Sequence, residues 1–208
     1  MARGIFITLE GIEGCGKSTQ VEVLRRHLTE RGHEVLVTRE PGGSAIGEKV
    51  RDILLDAGNR GMAALTELLL YEASRAQHVE EVIRPALEAG DIVISDRFYD
   101  ASTAYQGYAR GLGADKVSKL NLVATGGLKP DLTIVLDLPA SEGLRRLIKD
   151  LDRIESEAID FHERVRNGYI EIARSEPERV KVVDSSGSLK ATSAQVISIV
   201  DDLLPLRM

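Results

Sequence analysis

The stretch that most constrains this chain is Gly11-Ile12-Glu13-Gly14-Cys15-Gly16-Lys17-Ser18-Thr19. It follows the apolar run Ile5 to Leu9 and leads into Val21, Val23, Leu24 and Leu28, mostly at helical spacing. A strand therefore enters a helix through a loop of pattern G-x-x-x-x-G-K-[ST], which binds phosphate. Its glycines let backbone N–H groups converge on phosphate oxygens at a helix N-terminus. Residues Gly11 through Thr19 are thus expected to hold the phosphate end of a nucleotide. Lys17 reaches the β/γ-phosphates and the Ser18 hydroxyl ligates Mg²⁺. The motif does not say where a phosphoryl group goes.

The rest of the chain fits an α/β architecture. Short β-type runs recur at 5–9, 34–38, 91–95, 132–138 and 180–183. Helical stretches are expected at 17–31, 46–57, 63–89, in two pieces between about 99 and 126, and at 141–149, 157–175 and 189–204. Apolar strands alternating with helices predict a three-layer fold: a mostly parallel five-stranded sheet flanked by helices, with ligands at the carboxyl ends of the strands. The length of 208 residues suits one domain, and no linker or repeat divides it. The last helical stretch, with Val196, Val200 and Leu203, reads as core covering.

Charge and cysteine count narrow the function. A formal charge of −6 argues against a nucleic-acid-coating surface, yet a few local cations can still hold one nucleotide. The first apolar run lasts five residues and none approaches a bilayer-spanning length, so a cytoplasmic location without membrane contact is expected. The single cysteine, Cys15, excludes an internal disulfide and reads as a small side chain in the loop. The four histidines, His27, His33, His78 and His162, show no metal-ligand spacing.

Two further segments carry chemistry. Asp91 to Ser95 is a hydrophobic strand ending at Asp96. An acid placed there orders Mg²⁺ near Ser18 in phosphate-loop enzymes, although an isolated strand-end Asp also serves as a cap. Arg97 follows it toward the same crevice. Residues 96–107, Asp-Arg-Phe-Tyr-Asp-Ala-Ser-Thr-Ala-Tyr-Gln-Gly, crowd hydroxyls, an aromatic and an amide together, as base and sugar recognition requires. Upstream, Tyr71 and Arg75 stand four apart on one helical face.

Taken together, GIEGCGKST, REPGGS, SRAQH, DRFYDASTAYQG, GLKPDLTIVLD and DRIESEAIDFHERVRNGY resemble the bacterial thymidylate kinase family. That resemblance implies ATP-dependent phosphorylation of dTMP to dTDP, in dTTP synthesis, with Mg²⁺. It implies that Tyr71 stacks on thymine, that Arg75 holds the acceptor nucleotide and that Arg97 contacts its phosphate. Ser102 and Gln106 line the base pocket; Tyr105 lies beside the sugar, where its bulk disfavours a 2′-hydroxyl. Glu13 sits near the acceptor phosphate and metal, and the turn from Arg39 to Gly43 covers that phosphate. A lid over ATP, at about 145–156, supplies catalytic arginines when the phosphate loop has none. Arg153 is the first choice there, followed by Arg146 and Lys149. A homodimer packed through long helices is implied, with 63–89 the segment to serve.

The chemistry agrees with these residue types. The acceptor phosphate has a second pKa of about 6 and needs no general base. The obstacle is repulsion between two anions, so positioning and charge neutralisation by Mg²⁺, Lys17 and arginines suffice. Two alternatives stay open: a kinase for another nucleoside monophosphate or a deoxynucleoside, and a nucleotide-binding regulator without turnover.

Overall fold

The computed structural model describes residues 3–147 and 151–204. Strands β1 (Phe6–Glu10), β2 (Val35–Arg39), β3 (Ile92–Asp96), β4 (Leu132–Asp137) and β5 (Val180–Asp184) form one sheet in the order β2-β3-β1-β4-β5. Every pairing is parallel, so the sheet expected to be mostly parallel is wholly so. Its register sets Asp96 opposite both Leu9 and Arg39. The loops leaving β1, β2 and β3 therefore emerge side by side at the carboxyl edge, where α/β sheets place ligands.

Helices α1 (Lys17–Glu30), α2 (Ala45–Leu55), α3 (Ala64–His78), α4 (Arg84–Ala89), α5 (Tyr99–Ser102), α6 (Ala114–Ala124), α7 (Ala140–Arg145), α8 (Ile159–Ser175) and α9 (Leu189–Leu203) cover the sheet. The rod expected over 63–89 is α3 and α4 joined by a π-helical segment, Val79–Ile83. A second such segment, Thr103–Ala109, extends α5. Widened turns of this kind recur at functional sites, and this one carries Tyr105 and Gln106. The helix expected at 141–149 is shorter, ending at Arg145; Lys149 lies outside the described residues.

Both sheet faces are apolar because strand side chains alternate. Ile7 and Leu9 join Leu24, Leu28, Val165 and Val196 in one cluster, under α1, α8 and α9. Phe6 packs with Val79, Ile83 and Phe98 on the opposite face. Burying each such leucine or phenylalanine contributes about 1.5–3 kcal/mol, and this rigid base holds the loops that follow. The same alternation places Glu10 on the Phe6 face, fully buried at a strand end.

Candidate active site

The phosphate loop owes its shape to its glycines. Gly14 sits at φ 73°, and a Cβ there would lie 2.1 Å from the Gly143 carbonyl oxygen of α7, so only glycine allows the two backbones to meet. Lys17 donates to the carbonyls of Gly11 at 3.1 Å and Ile12 at 2.8 Å. The Ser18 hydroxyl donates to Asp96 Oδ2 at 3.0 Å. The expected metal pair thus converges, a hydroxyl beside a strand-end carboxylate.

Arg97 joins the loop to the acceptor half. Its backbone is left-handed at φ 72°, a strain of about 1–2 kcal/mol for a residue with a Cβ. Three bonds impose it: Arg97 N–H to Leu9 O at 2.9 Å, Ser95 Oγ to Arg97 O at 2.6 Å, and Phe98 N–H to Glu10 Oε1 at 2.7 Å. The guanidinium then donates to Gly11 O at 2.9 Å, Tyr169 Oη at 3.1 Å and Glu13 Oε1 at 3.0 Å. It lies 5.0 Å from the Tyr105 ring centroid.

Two carboxyls three residues apart are driven in opposite directions. Burial, reinforced by the Asp100 charge, pushes Glu10 up to about 8. Burial also opposes ionisation of Glu13, but Arg97 foremost, then His162, Lys17 and Tyr105, outweigh it and hold that carboxyl far below its usual range. Tyr105 Oη donates to Glu13 at 2.6 Å, and His162 Nδ1 lies 3.2 Å from Glu13 Oε2. Burial foremost raises the phenols of Tyr71 and Tyr105 well above their ordinary value, so both stay neutral.

A cleft of about 290 Å³ brings these groups together, near the lower end for small-molecule sites. Glu13, Gly14, Lys17, Ser18 and Asp96 line it together with Tyr71, Arg75, Ser102, Tyr105 and Gln106, and so do Arg39 and Arg97. Arg75 is 1% exposed and donates to Glu40, Glu72, Asn121, the Phe98 carbonyl and Ser102. Arg39 is exposed and pairs with Glu48 at 2.8 Å.

Arg153 is placed elsewhere. It does not line the cleft; its Nη1 donates to Glu67 at 2.6 Å and its Nε to the Leu54 carbonyl at 2.7 Å. Among the described residues of the expected lid, Arg146 touches the phosphate loop, donating to Gly14 O at 3.3 Å. Sequence reasoning missed Arg51, which lines the cleft and donates to Pro41 O at 2.9 Å. It also missed Glu10, Glu67 and Tyr169, which bond to the cleft residues Phe98, Gln106 and Arg97. Only alternation along β1 hinted at one of them, by setting Glu10 on a buried face.

A parallel sheet with a phosphate loop after its central strand, facing a pocket of arginines and aromatics, defines a nucleotide-binding phosphotransferase of the phosphate-loop class. The family model described as thymidylate kinase matches residues 9–196. The chain is 51% identical over 205 residues to the thymidylate kinase of Geotalea uraniireducens (strain Rf4), covering 95% of this chain and 96% of the relative. It is also 51% identical to that of Lactobacillus delbrueckii subsp. bulgaricus, covering 98% of each. The crystal structure of thymidylate kinase from Ehrlichia chaffeensis superposes with a TM-score of 0.78 at 34% identity, covering 95% of this chain and 99% of that one. The chain belongs to the thymidylate kinase family.

Proposed function

We propose that this protein transfers the γ-phosphoryl group of ATP to dTMP, giving ADP and dTDP. The observation that carries the reading is that Tyr71, Arg75, Ser102, Tyr105 and Gln106 share one cleft with the phosphate loop. A switch NTPase without an acceptor has no use for such a pocket.

The loop amides and Lys17 hold the donor phosphates. Arg97, tied to Glu13 and the Gly11 carbonyl, faces the point where two phosphates meet and offsets their repulsion. No side chain has to remove a proton, since the acceptor oxygen is already largely ionised at neutral pH. Ser18 Oγ and Asp96 Oδ2, 3.0 Å apart, are hard oxygen donors suited to Mg²⁺. When bound, that cation neutralises phosphate charge. Tyr105, buried against Phe161 and Tyr169, keeps the sugar pocket narrow. Arg146 is the lid cation placed to meet the donor, in preference to Arg153. A cytoplasmic site of action accords with these substrates.

Helices α2, α3 and α6 pack in succession and leave Ile46, Ile53, Leu65, Leu69, Leu122 and Val123 exposed. That apolar surface supports a homodimer; light scattering at micromolar concentration gives twice the chain mass if it forms and the chain mass if it does not.

The activity is tested by coupled ADP release with ATP and Mg²⁺, using dTMP, dUMP, dCMP and no acceptor. Turnover that depends on dTMP and is strongest with it supports the reading. ADP release indifferent to any acceptor would move the regulator or plain NTPase alternative to the front.

A further inference from the structure

Glu67 stands in the first turn of α3, is 1% exposed and does not line the cleft. Four donors nevertheless converge on it. Oε1 accepts from Gln106 Nε2 at 2.8 Å and Arg110 Nε at 3.2 Å. Oε2 accepts from Arg110 Nη2 at 3.1 Å and Arg153 Nη1 at 2.6 Å. Burial disfavours the charge, but the bonds from Arg110 and Gln106 and the Arg110 charge prevail and keep this carboxyl below its ordinary value. An ionised carboxylate only accepts.

A glutamine amide has one donating and one accepting end. Turning Gln106 over would set its oxygen against a carboxylate oxygen in a buried site, leaving acceptors facing acceptors. One Nε2 hydrogen is therefore committed to Glu67, which fixes the amide's orientation and leaves Oε1 as its acceptor for the cleft that Gln106 lines. We propose that Glu67 is a positioning residue for base specificity: it orients the Gln106 amide so that a carbonyl oxygen meets the pyrimidine edge. Thymine and uracil carry an N–H at position 3 and satisfy that oxygen. Cytosine presents a lone pair there and leaves two buried acceptors unsatisfied. The inference rests on the dTMP kinase reading and adds the residue that enforces its choice of base.

The test is Glu67→Gln, assayed for kcat/KM with dTMP, dUMP and dCMP. A neutral amide at 67 accepts or donates, so Gln106 is free to turn. The dTMP to dCMP preference is expected to fall about tenfold or more, while the dTMP to dUMP ratio stays within twofold. Ratios measured on one sample cancel the folded fraction, so a purely structural role would lower all three rates together. An unchanged dTMP to dCMP preference overturns the proposal. Gln106→Leu leaves Arg110 and Arg153 on Glu67 and provides a second arm should Glu67→Gln not fold. Loss of the same preference there supports the proposal, and its retention removes the amide from base reading and overturns it. A wild type that ignores dTMP defeats the functional reading itself, whereas one that prefers dTMP with both variants unchanged defeats only this inference.

Discussion

The two halves of the cleft are built differently. On the acceptor half, Arg75 is 1% exposed with its donors committed to protein partners, and Glu67 and Gln106 are each 1% exposed. On the donor half, the Ser18–Asp96 bond is exposed and Arg146 reaches the loop by an exposed bond of 3.3 Å. On the proposed function, the acceptor pocket is therefore held by protein bonds ahead of any nucleotide, a preorganisation that lowers the ordering cost of binding. On the same proposed function, the donor half, with Arg146, is completed by the nucleotide. Changes on the acceptor side should cost stability and specificity; changes on the donor side should cost rate alone.

Arg75→Ala is the strongest way to break that contrast. It strands Glu40 and Glu72, both buried, and breaking a buried pair costs about 3–5 kcal/mol. For a chain of this size that lowers Tm by roughly 6–20 °C, readable by calorimetry. A Tm within about 2 °C of wild type would mean the acceptor half is not the rigid one.

Arg146→Ala should do the reverse. Removing one charge-stabilising donor costs about 10²–10³-fold in kcat where the donor acts on the transferred group. Its exposed position leaves Tm unchanged and the KM for dTMP unmoved. Equal losses in Arg146→Ala and Arg153→Ala would instead return a share of the lid role to Arg153.

The smallest effect sharpens the contrast between Glu10 and Glu13. Glu10 titrates near 8 in the fold against 4.5 as its ordinary value, so the folded protein binds the extra proton. Its contribution to stability is full below pH 4.5 and is lost as pH rises through 8. Glu13 is depressed, so its contribution is present above its ordinary 4.5 and is lost only as pH falls. Glu10→Gln keeps the acceptor for Phe98 N–H and should flatten the fall in Tm between pH 5 and 8. Parallel Tm profiles for wild type and variant would contradict the raised value.

Much of this was legible in the residues. Alternating apolar strands and the phosphate loop place every strand within a residue of its observed ends, because local patterning and the glycine turn dictate both. Of the cleft residues, the phosphate loop, Asp96 and Arg97 were legible because they follow apolar strands, Tyr71, Arg75, Ser102, Tyr105 and Gln106 came with the family resemblance, and Arg51 was missed. What stayed hidden depends on long-range pairing. Arg153 reads as a lid cation until Glu67, 86 positions away, is seen to hold it. Glu67 in turn reads as an ordinary acidic first turn of a helix. The π-helical segments leave no periodic signature, since one widened turn hardly changes the spacing of apolar residues.

The most direct measurement is calorimetric titration of dTMP into the protein without ATP or Mg²⁺, repeated with Arg146→Ala. A prebuilt acceptor pocket predicts saturable one-site binding of equal affinity in both proteins. Binding of dTMP that requires ATP first, or that weakens tenfold in Arg146→Ala, would contradict a pocket assembled ahead of its donor.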